Sequence, residues 1–314
     1  MSASWTRMSD YGTASYSGRV VRECDNSSSI VVDWRGKERA VTDTSALEAE
    51  EVLYKRTVMA DGFEKGAGKS LSMRVLRRKD LAKPSPVVLY FPGGGFVSCS
   101  YDILSLAQEY LALAGYVVIS AEYRLVGEAL VDGMLEDISD AVAYVRENAW
   151  RYEADPGRMA LMGNSASGYL VSLAGTKLDL GAQAVISLYG PTDLLRIADD
   201  HEESTQEAWH DSHSVLNQIV NGVFSTASLY DDVEKAEAVN PLRYVDGTEP
   251  PFLFMHGEMD PEVSPSQTAA LHDALLRKGA RSTRYSLRGA FHGGPCFDSE
   301  EALASVLSFL SRAV

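Results

Sequence analysis

Three side chains have the types and the order for one proton-transfer chain: Ser165 in GNSASG (163–168), Asp260 in HGEMDPEV (256–263) and His292 in AFHGG (290–294). A serine hydroxyl is a poor nucleophile near neutral pH. It needs a base to take its proton and an acid to orient that base. GNSASG nearly spells G-x-S-x-G, with Ser167 in place of the last glycine. A nucleophile on a sharp strand-to-helix turn needs small neighbours, because strand and helix otherwise collide. The first turn of the following helix also offers N–H groups where an oxyanion would form. Of the six histidines, only His292 sits in a glycine-flanked loop behind a late strand. His201, His210 and His213 fall in an acidic stretch with solvated faces, His272 in a helix of mixed polarity, and His256 at a strand end, where a structural role is expected.

A second tract bears on the same chemistry. YFPGGGFVSCS (90–100) places three consecutive glycines directly after an apolar run. Such a tract costs conformational entropy and usually answers a steric demand. Here the demand is backbone N–H groups turned toward a substrate oxygen, with Gly94, Gly95 and Ala166 as the expected donors. A phosphate loop is the poorer reading, since no G-K-[ST] follows.

The elements that must carry these residues are legible as alternating patterns. PVVLYF (86–91), YVVISAEY, RMALMG, QAVISLYG, PFLFMHG and STRYSLRG read as strands. SLAQEYLALAG, DGMLEDISDAVAYVRENA, ASGYLVSLAG, SQTAALHDALLRKG and SEEALASVLSFLSRA read as helices between and after them. This alternation predicts an α/β fold: a mainly parallel central sheet with helices on both faces. VLYKRTV and SLSMRVLRR alternate apolar with polar residues, as antiparallel edge strands do. A short strand is expected around Ile30–Trp34 and an acidic helical turn around Ala46–Glu51. Residues 192–245 hold no strong strand and several acidic helical segments, too long for a simple connection. The expected organisation is an N-terminal arm or cap segment (1–51) and a catalytic domain (52–314) with a helical lid inserted at about 192–245.

Composition narrows the class of partner. The net charge is −15, from 44 acidic and 29 basic residues. Such a surface disfavours nucleic acid and anionic lipid. Cys24, Cys99 and Cys296 are few, odd in number and widely spaced, which argues against a disulfide framework or a zinc site. Neither Cys99 nor Cys296 sits at a strand–helix elbow, so a catalytic thiol is disfavoured. The polar N-terminus and the lack of a long apolar run lead to the expectation of a soluble, cytoplasmic protein with no membrane span.

With these residues assembled, the chain resembles the α/β-hydrolases, and among them the hormone-sensitive-lipase-like and related bacterial carboxylesterases, over about residues 52–314. The matching pieces are PGGGF (92–96) for the family's H-G-G-G loop, AEYRL (121–125), DPGRMALMGNSASG (155–168), HGEMDPEV, AFHGG and NPLRYV (240–245). The resemblance implies Ser165 as nucleophile, His292 as base, Asp260 as orienting acid, and an oxyanion hole from Gly94, Gly95 and Ala166. It implies no metal or organic cofactor. Pro92 stands where the family has histidine, Ser167 replaces a glycine, and the elements usual after Y-R-L are replaced by VGEALVDGMLED. A feruloyl-esterase or kynurenine-formamidase-like branch therefore stays open. The expected reaction is hydrolysis of a small acyl ester through an acyl-enzyme, with a homodimer open as the assembly. The alternatives are amide hydrolysis or acyl transfer by the same three residues, and a non-catalytic ligand-binding protein on this fold.

Overall fold

Strands that are apolar on both faces need cover on both faces, and the sheet supplies two separate cores. In the computed structural model, which describes residues 19–20, 30–33, 43–58, 68–102 and 105–314, ten strands form one sheet. They are β1 (Arg19–Val20), β2 (Ile30–Asp33), β3 (Leu47–Val58), β4 (Gly68–Arg78), β5 (Ser85–Phe91), β6 (Val117–Ala121), β7 (Ala154–Asn164), β8 (Ala184–Leu188), β9 (Phe252–Gly257) and β10 (Ser282–Arg288). Their spatial order is β1-β2-β10-β9-β8-β7-β5-β6-β4-β3. From β2 to β6 every pairing is parallel, while β1, β4 and β3 pair antiparallel at the two edges.

The period of two along each strand sorts its side chains. Val87, Leu89 and Phe91 of β5, Val117 and Ile119 of β6, and Phe252 and Phe254 of β9 enter one core. Val88, Val118, Leu253 and Met255, from the same strands, enter the other. The first core is closed by α2 (Val131–Asn148), α3 (Ala166–Lys177) and α7 (Ser266–Arg277). The second is closed by α1 (Leu106–Leu113) and α8 (Glu300–Ala313). A doubly wound sheet of this kind presents its functional loops at the carboxyl ends of the strands.

The expected strand near residue 30 is observed as β2; Trp34 and Cys24 lie outside the described residues. The acidic turn expected at Ala46–Glu51 is instead the start of β3. The reason is long-range: Glu48 pairs across the hairpin with Arg77 at 2.9 Å and Glu51 with Arg74 at 3.1 Å, while Glu50 meets Arg151 at 3.2 Å. Opposite charges facing across a ladder favour strand over helix here.

The stretch 192–245 contains three short helices, α4 (Glu203–His210), α5 (Val215–Asn221) and α6 (Val233–Glu237), and a 3-10 turn at Pro241–Tyr244. It is anchored by apolar residues, among them Leu194, Ile197, Leu216 and Ile219, that join the first core. The Tyr169 hydroxyl of α3 donates to the Val239 carbonyl at 2.7 Å. Among the described residues, no helix is long and apolar enough to cross a membrane.

Candidate active site

β7 ends at Asn164 and α3 begins at Ala166, so Ser165 alone makes the turn. Its backbone is at φ 52°, ψ −123°, a strained conformation for any residue with a Cβ. The strain is held by the Ser165 N–H donating to the Leu188 carbonyl at 2.8 Å and by the Ser165 carbonyl accepting from the Tyr169 N–H at 3.1 Å. Gly163 is obligatory for this approach, since a Cβ there would lie 2.5 Å from the Ser167 carbonyl oxygen. Ser167 itself is fully buried. Its hydroxyl lies on the carbonyl oxygens of Phe91 and Asn164 and accepts from the Asn164 N–H at 3.0 Å.

Asp260 follows β9 and His292 follows β10. The two loops pack so closely that a Cβ on Gly257 would lie 2.4 Å from the carbonyl oxygens of Ala290 and Phe291. The structure brings the three sequence-derived residues into one hydrogen-bonded line. Ser165 Oγ stands 2.8 Å from His292 Nε2, and His292 Nδ1 stands 2.7 Å from Asp260 Oδ2. The Asp260 side chain is fully buried. Burial by itself would raise its pKa, but hydrogen bonds from His256, His292 and the Val263 amide outweigh that and hold it well below the usual carboxylate range. The His292 ring meets the edge of Tyr189, with ring centroids 4.8 Å apart.

The glycine tract lies beside the elbow, and a Cβ on Gly93 would come within 3.2 Å of the Ser165 Cβ. Asn164 ties the two together. Its Oδ1 accepts from the Gly93 N–H at 2.9 Å and from the Tyr90 hydroxyl at 2.6 Å, and its Nδ2 donates to the Tyr189 hydroxyl at 3.1 Å. The loop turns through positive φ at Gly94 (147°), Gly95 (61°) and Phe96 (63°). The N–H groups of Gly94, Gly95 and Ala166 have no backbone or side-chain acceptor among the described residues. Pro92 offers no N–H, and its carbonyl accepts from the Tyr123 hydroxyl at 3.0 Å.

Sequence reasoning assigned no site role to two residues that the structure brings to these loops. His256 is fully buried and its Nε2 lies 3.0 Å from Asp260 Oδ2. The four-residue spacing to Asp260 was a visible signal. Glu262 places a half-exposed carboxylate 3.7 Å from His292 Nε2. The remaining histidines stay apart from the site's hydrogen bonds: His272 is buried against Ser282 at 2.7 Å, and His210 and His213 are exposed. His201 departs from the solvated face expected of it, since its Nε2 is buried without a partner. Burial pushes the Cys99 thiol up to about 12 and raises that of Cys296, which suppresses thiolate at both. Among the described residues no acidic, histidine or cysteine cluster could hold a metal ion.

The BD-FAE family model matches residues 73–275. Esterase LipC of Mycobacterium tuberculosis is 27% identical over 285 residues, covering 86% of this chain and 67% of the relative. Esterase LipQ of the same organism is 28% identical over 246 residues, covering 72% of this chain and 54% of the relative. The matched region thus spans between about half and two thirds of these curated relatives. Among solved structures, a truncated carbohydrate esterase from gut microbiota has a TM-score of 0.67 at 20% identity, over 77% of this chain and 90% of that one. Esterase 2 of Thermogutta terrifontis, with propionate bound, has a TM-score of 0.62 at 21% identity, over 86% and 96%. These structural likenesses establish the α/β-hydrolase fold.

Proposed function

Because this chain belongs to the BD-FAE family, we propose that it is a serine carboxylesterase that cleaves a small acyl ester through an acyl-enzyme. One observation carries the reading: the unbroken contact from Ser165 Oγ to His292 Nε2 (2.8 Å) and from His292 Nδ1 to Asp260 Oδ2 (2.7 Å). The esterase names of LipC and LipQ support the reaction class.

In this mechanism His292 Nε2 takes the proton of Ser165, and Oγ attacks the ester carbonyl. The imidazolium is stabilised by the ionised Asp260, which also fixes the ring's tautomer through Nδ1. The tetrahedral oxyanion accepts hydrogen bonds from the amides of Gly94, Gly95 and Ala166. Each such donor is worth about 3 kcal/mol of barrier. His292 then gives its proton to the leaving alcohol, and the acyl group stays on Oγ. Water, deprotonated by His292, attacks the acyl-enzyme and releases the acid.

The acidic surface and the Glu262 carboxylate favour neutral or weakly charged esters over polyanions. The insertion at 192–245 is read as a helical lid, whereas the described residues before 52 contribute β1, β2 and the start of β3 to the central sheet, so the boundary expected at 51/52 falls inside β3. A contact that supports the lid reading is Asp200, whose Oδ2 accepts from Ser264 Oγ at 2.6 Å, in the loop that carries Asp260.

The test is a fluorophosphonate probe, run beside a panel of p-nitrophenyl esters of increasing acyl length. The native protein is expected to be labelled and to turn over short esters, and Ser165→Ala to do neither. Equal labelling of Ser165→Ala would overturn the reading. Products formed with competing amines or alcohols separate hydrolysis from acyl transfer.

A further inference from the structure

Asp260 carries two histidines on one oxygen. Oδ2 accepts from His292 Nδ1 at 2.7 Å and lies 3.0 Å from His256 Nε2, while Oδ1 accepts from the N–H groups of Glu262 and Val263, each at 2.9 Å. The four contacts fill the acceptor capacity of a carboxylate.

The proton positions on His256 follow from its partners. Nε2 faces Asp260 Oδ2 and the Val263 carbonyl oxygen, the latter at 2.9 Å. Neither oxygen has a proton to give, so Nε2 must hold one and donate. Nδ1 is 2.8 Å from Thr268 Oγ1. In a neutral ring it is the acceptor, and the Thr268 hydroxyl points its proton at it. The hydroxyl's rival acceptor, the Pro265 carbonyl, is more distant at 3.4 Å and also accepts from Arg284 Nη2 at 2.9 Å. Arg284 Nε, which can only donate, meets Thr268 Oγ1 at 3.1 Å and closes the other side of the hydroxyl. His256, Thr268 and Arg284 are each at least nine-tenths buried. Donation therefore runs in one sense: Arg284 to Thr268, Thr268 to His256, His256 to Asp260.

We propose that His256, oriented by Thr268 and Arg284, is a positioning residue that holds the Asp260 carboxylate on the line of the Ser165–His292 contact. A donor without net charge suits that task. It fixes Oδ2 and leaves the carboxylate's charge for the imidazolium that forms on His292. A protonated His256 would compete for that charge. Burial, the largest influence on the ring, lowers its pKa, and the nearby Arg284 acts in the same sense against the attraction of Asp260.

This inference rests on the reading of Asp260 and His292 as acid and base, and its test separates the two. His256→Leu removes the donor; His256→Gln keeps an N–H near the position of Nε2. Full-length variants are compared for kcat and KM on a short p-nitrophenyl ester. In parallel, the low-field proton resonance of His292 Nδ1–H is followed, assigned by its loss in His292→Gln. His256→Leu is expected to lower kcat by about 10- to 100-fold with KM within about twofold, and to shift or broaden the resonance. His256→Gln is expected to recover most of both. If Leu and Gln lower kcat equally, or if the resonance is unmoved in the Leu variant, the proposal fails. Should His256→Leu not fold, Thr268→Val leaves the imidazole in place and is expected to lower kcat by about 3- to 10-fold; no loss there overturns the orienting chain. The resonance reports the His292–Asp260 contact without turnover, so a wrong assignment of the nucleophile would leave it intact.

Discussion

The Ser167 hydroxyl hydrogen-bonds the carbonyl oxygen of Phe91, joining the first turn of α3 to the last residue of β5. Phe91 immediately precedes Pro92, so two of the three departures from the family pattern, Pro92 and Ser167, sit at one contact. The same hydroxyl lies 2.9 Å from the Asn164 carbonyl. Ser167→Ala keeps the Cβ and strands these buried groups. It is expected to cost about 1–3 kcal/mol, read as a lower urea midpoint at unchanged slope. Ser167→Gly restores the common motif yet adds a helical glycine, and is expected to be the less stable of the two by up to about 1 kcal/mol. A glycine variant as stable as the native chain would show that the hydroxyl's bonds carry no net weight.

Replacing Asp260 by asparagine keeps the shape and breaks the polarity. Whichever way the amide is turned, its NH2 faces two donors: the Glu262 and Val263 amides, or the two histidine rings. Asp260→Asn is expected to lower kcat/KM by about three to four orders of magnitude on a short ester. A loss below tenfold would remove Asp260 from the mechanism.

The buried His256 couples stability to pH. Its folded pKa is lowered from 6.5, chiefly by burial. Below about that pH the unfolded chain takes up a proton that the folded chain refuses, so stability falls as pH falls. Asp260 adds to the same trend lower down: its folded pKa is depressed from 3.8, so its contribution is full above that value and is lost as pH drops further. Urea unfolding at about pH 7, 6 and 5 is expected to show declining stability. In His256→Gln the decline over this range is expected to flatten. An unchanged slope would mean that another group sets it.

Two adjacent glycines separate loop shape from loop chemistry. Both Gly94→Ala and Gly95→Ala retain the amide donor. At Gly94 a Cβ would meet the Ser98 carbonyl oxygen at 2.3 Å, whereas at Gly95 the nearest atom is Val97 Cγ2 at 3.9 Å. Gly94→Ala is therefore expected to displace the loop and lower kcat by about 100-fold. Gly95→Ala, with φ at 61° and open space, is expected to cost about 1–2 kcal/mol of strain and stay within about tenfold in activity. Equal losses at both positions would argue against steric displacement as the cause.

Local pattern carried most of the fold. PVVLYF and PFLFMHG are apolar on both faces, so their burial in a covered sheet follows from composition alone. The elbow was legible because its demand for small residues is local, and Asp260 and His292 because each lies in the loop that follows a strand. Ala46–Glu51 was not legible in the same way. Its acidic run suits a solvated helix until Arg74 and Arg77, brought opposite by the hairpin, make it a strand. His256 was visible but assigned no part, since its value depends on Thr268 and Arg284, which lie on other elements. The helices of 192–245 were foreseeable as helices; the apolar contacts that dock them are long-range.

The Glu262 carboxylate stands 3.7 Å from His292 Nε2. The proposed hydrolysis would turn an uncharged ester into an anion close to that carboxylate. Under the proposed ester hydrolysis, the negative charge of Glu262 repels the carboxylate product but not the neutral ester. Inhibition by the product carboxylate is accordingly expected to be weak, and to tighten by about two- to tenfold in Glu262→Gln, most clearly at low ionic strength. Unchanged inhibition constants in that variant would assign product departure to something other than this charge.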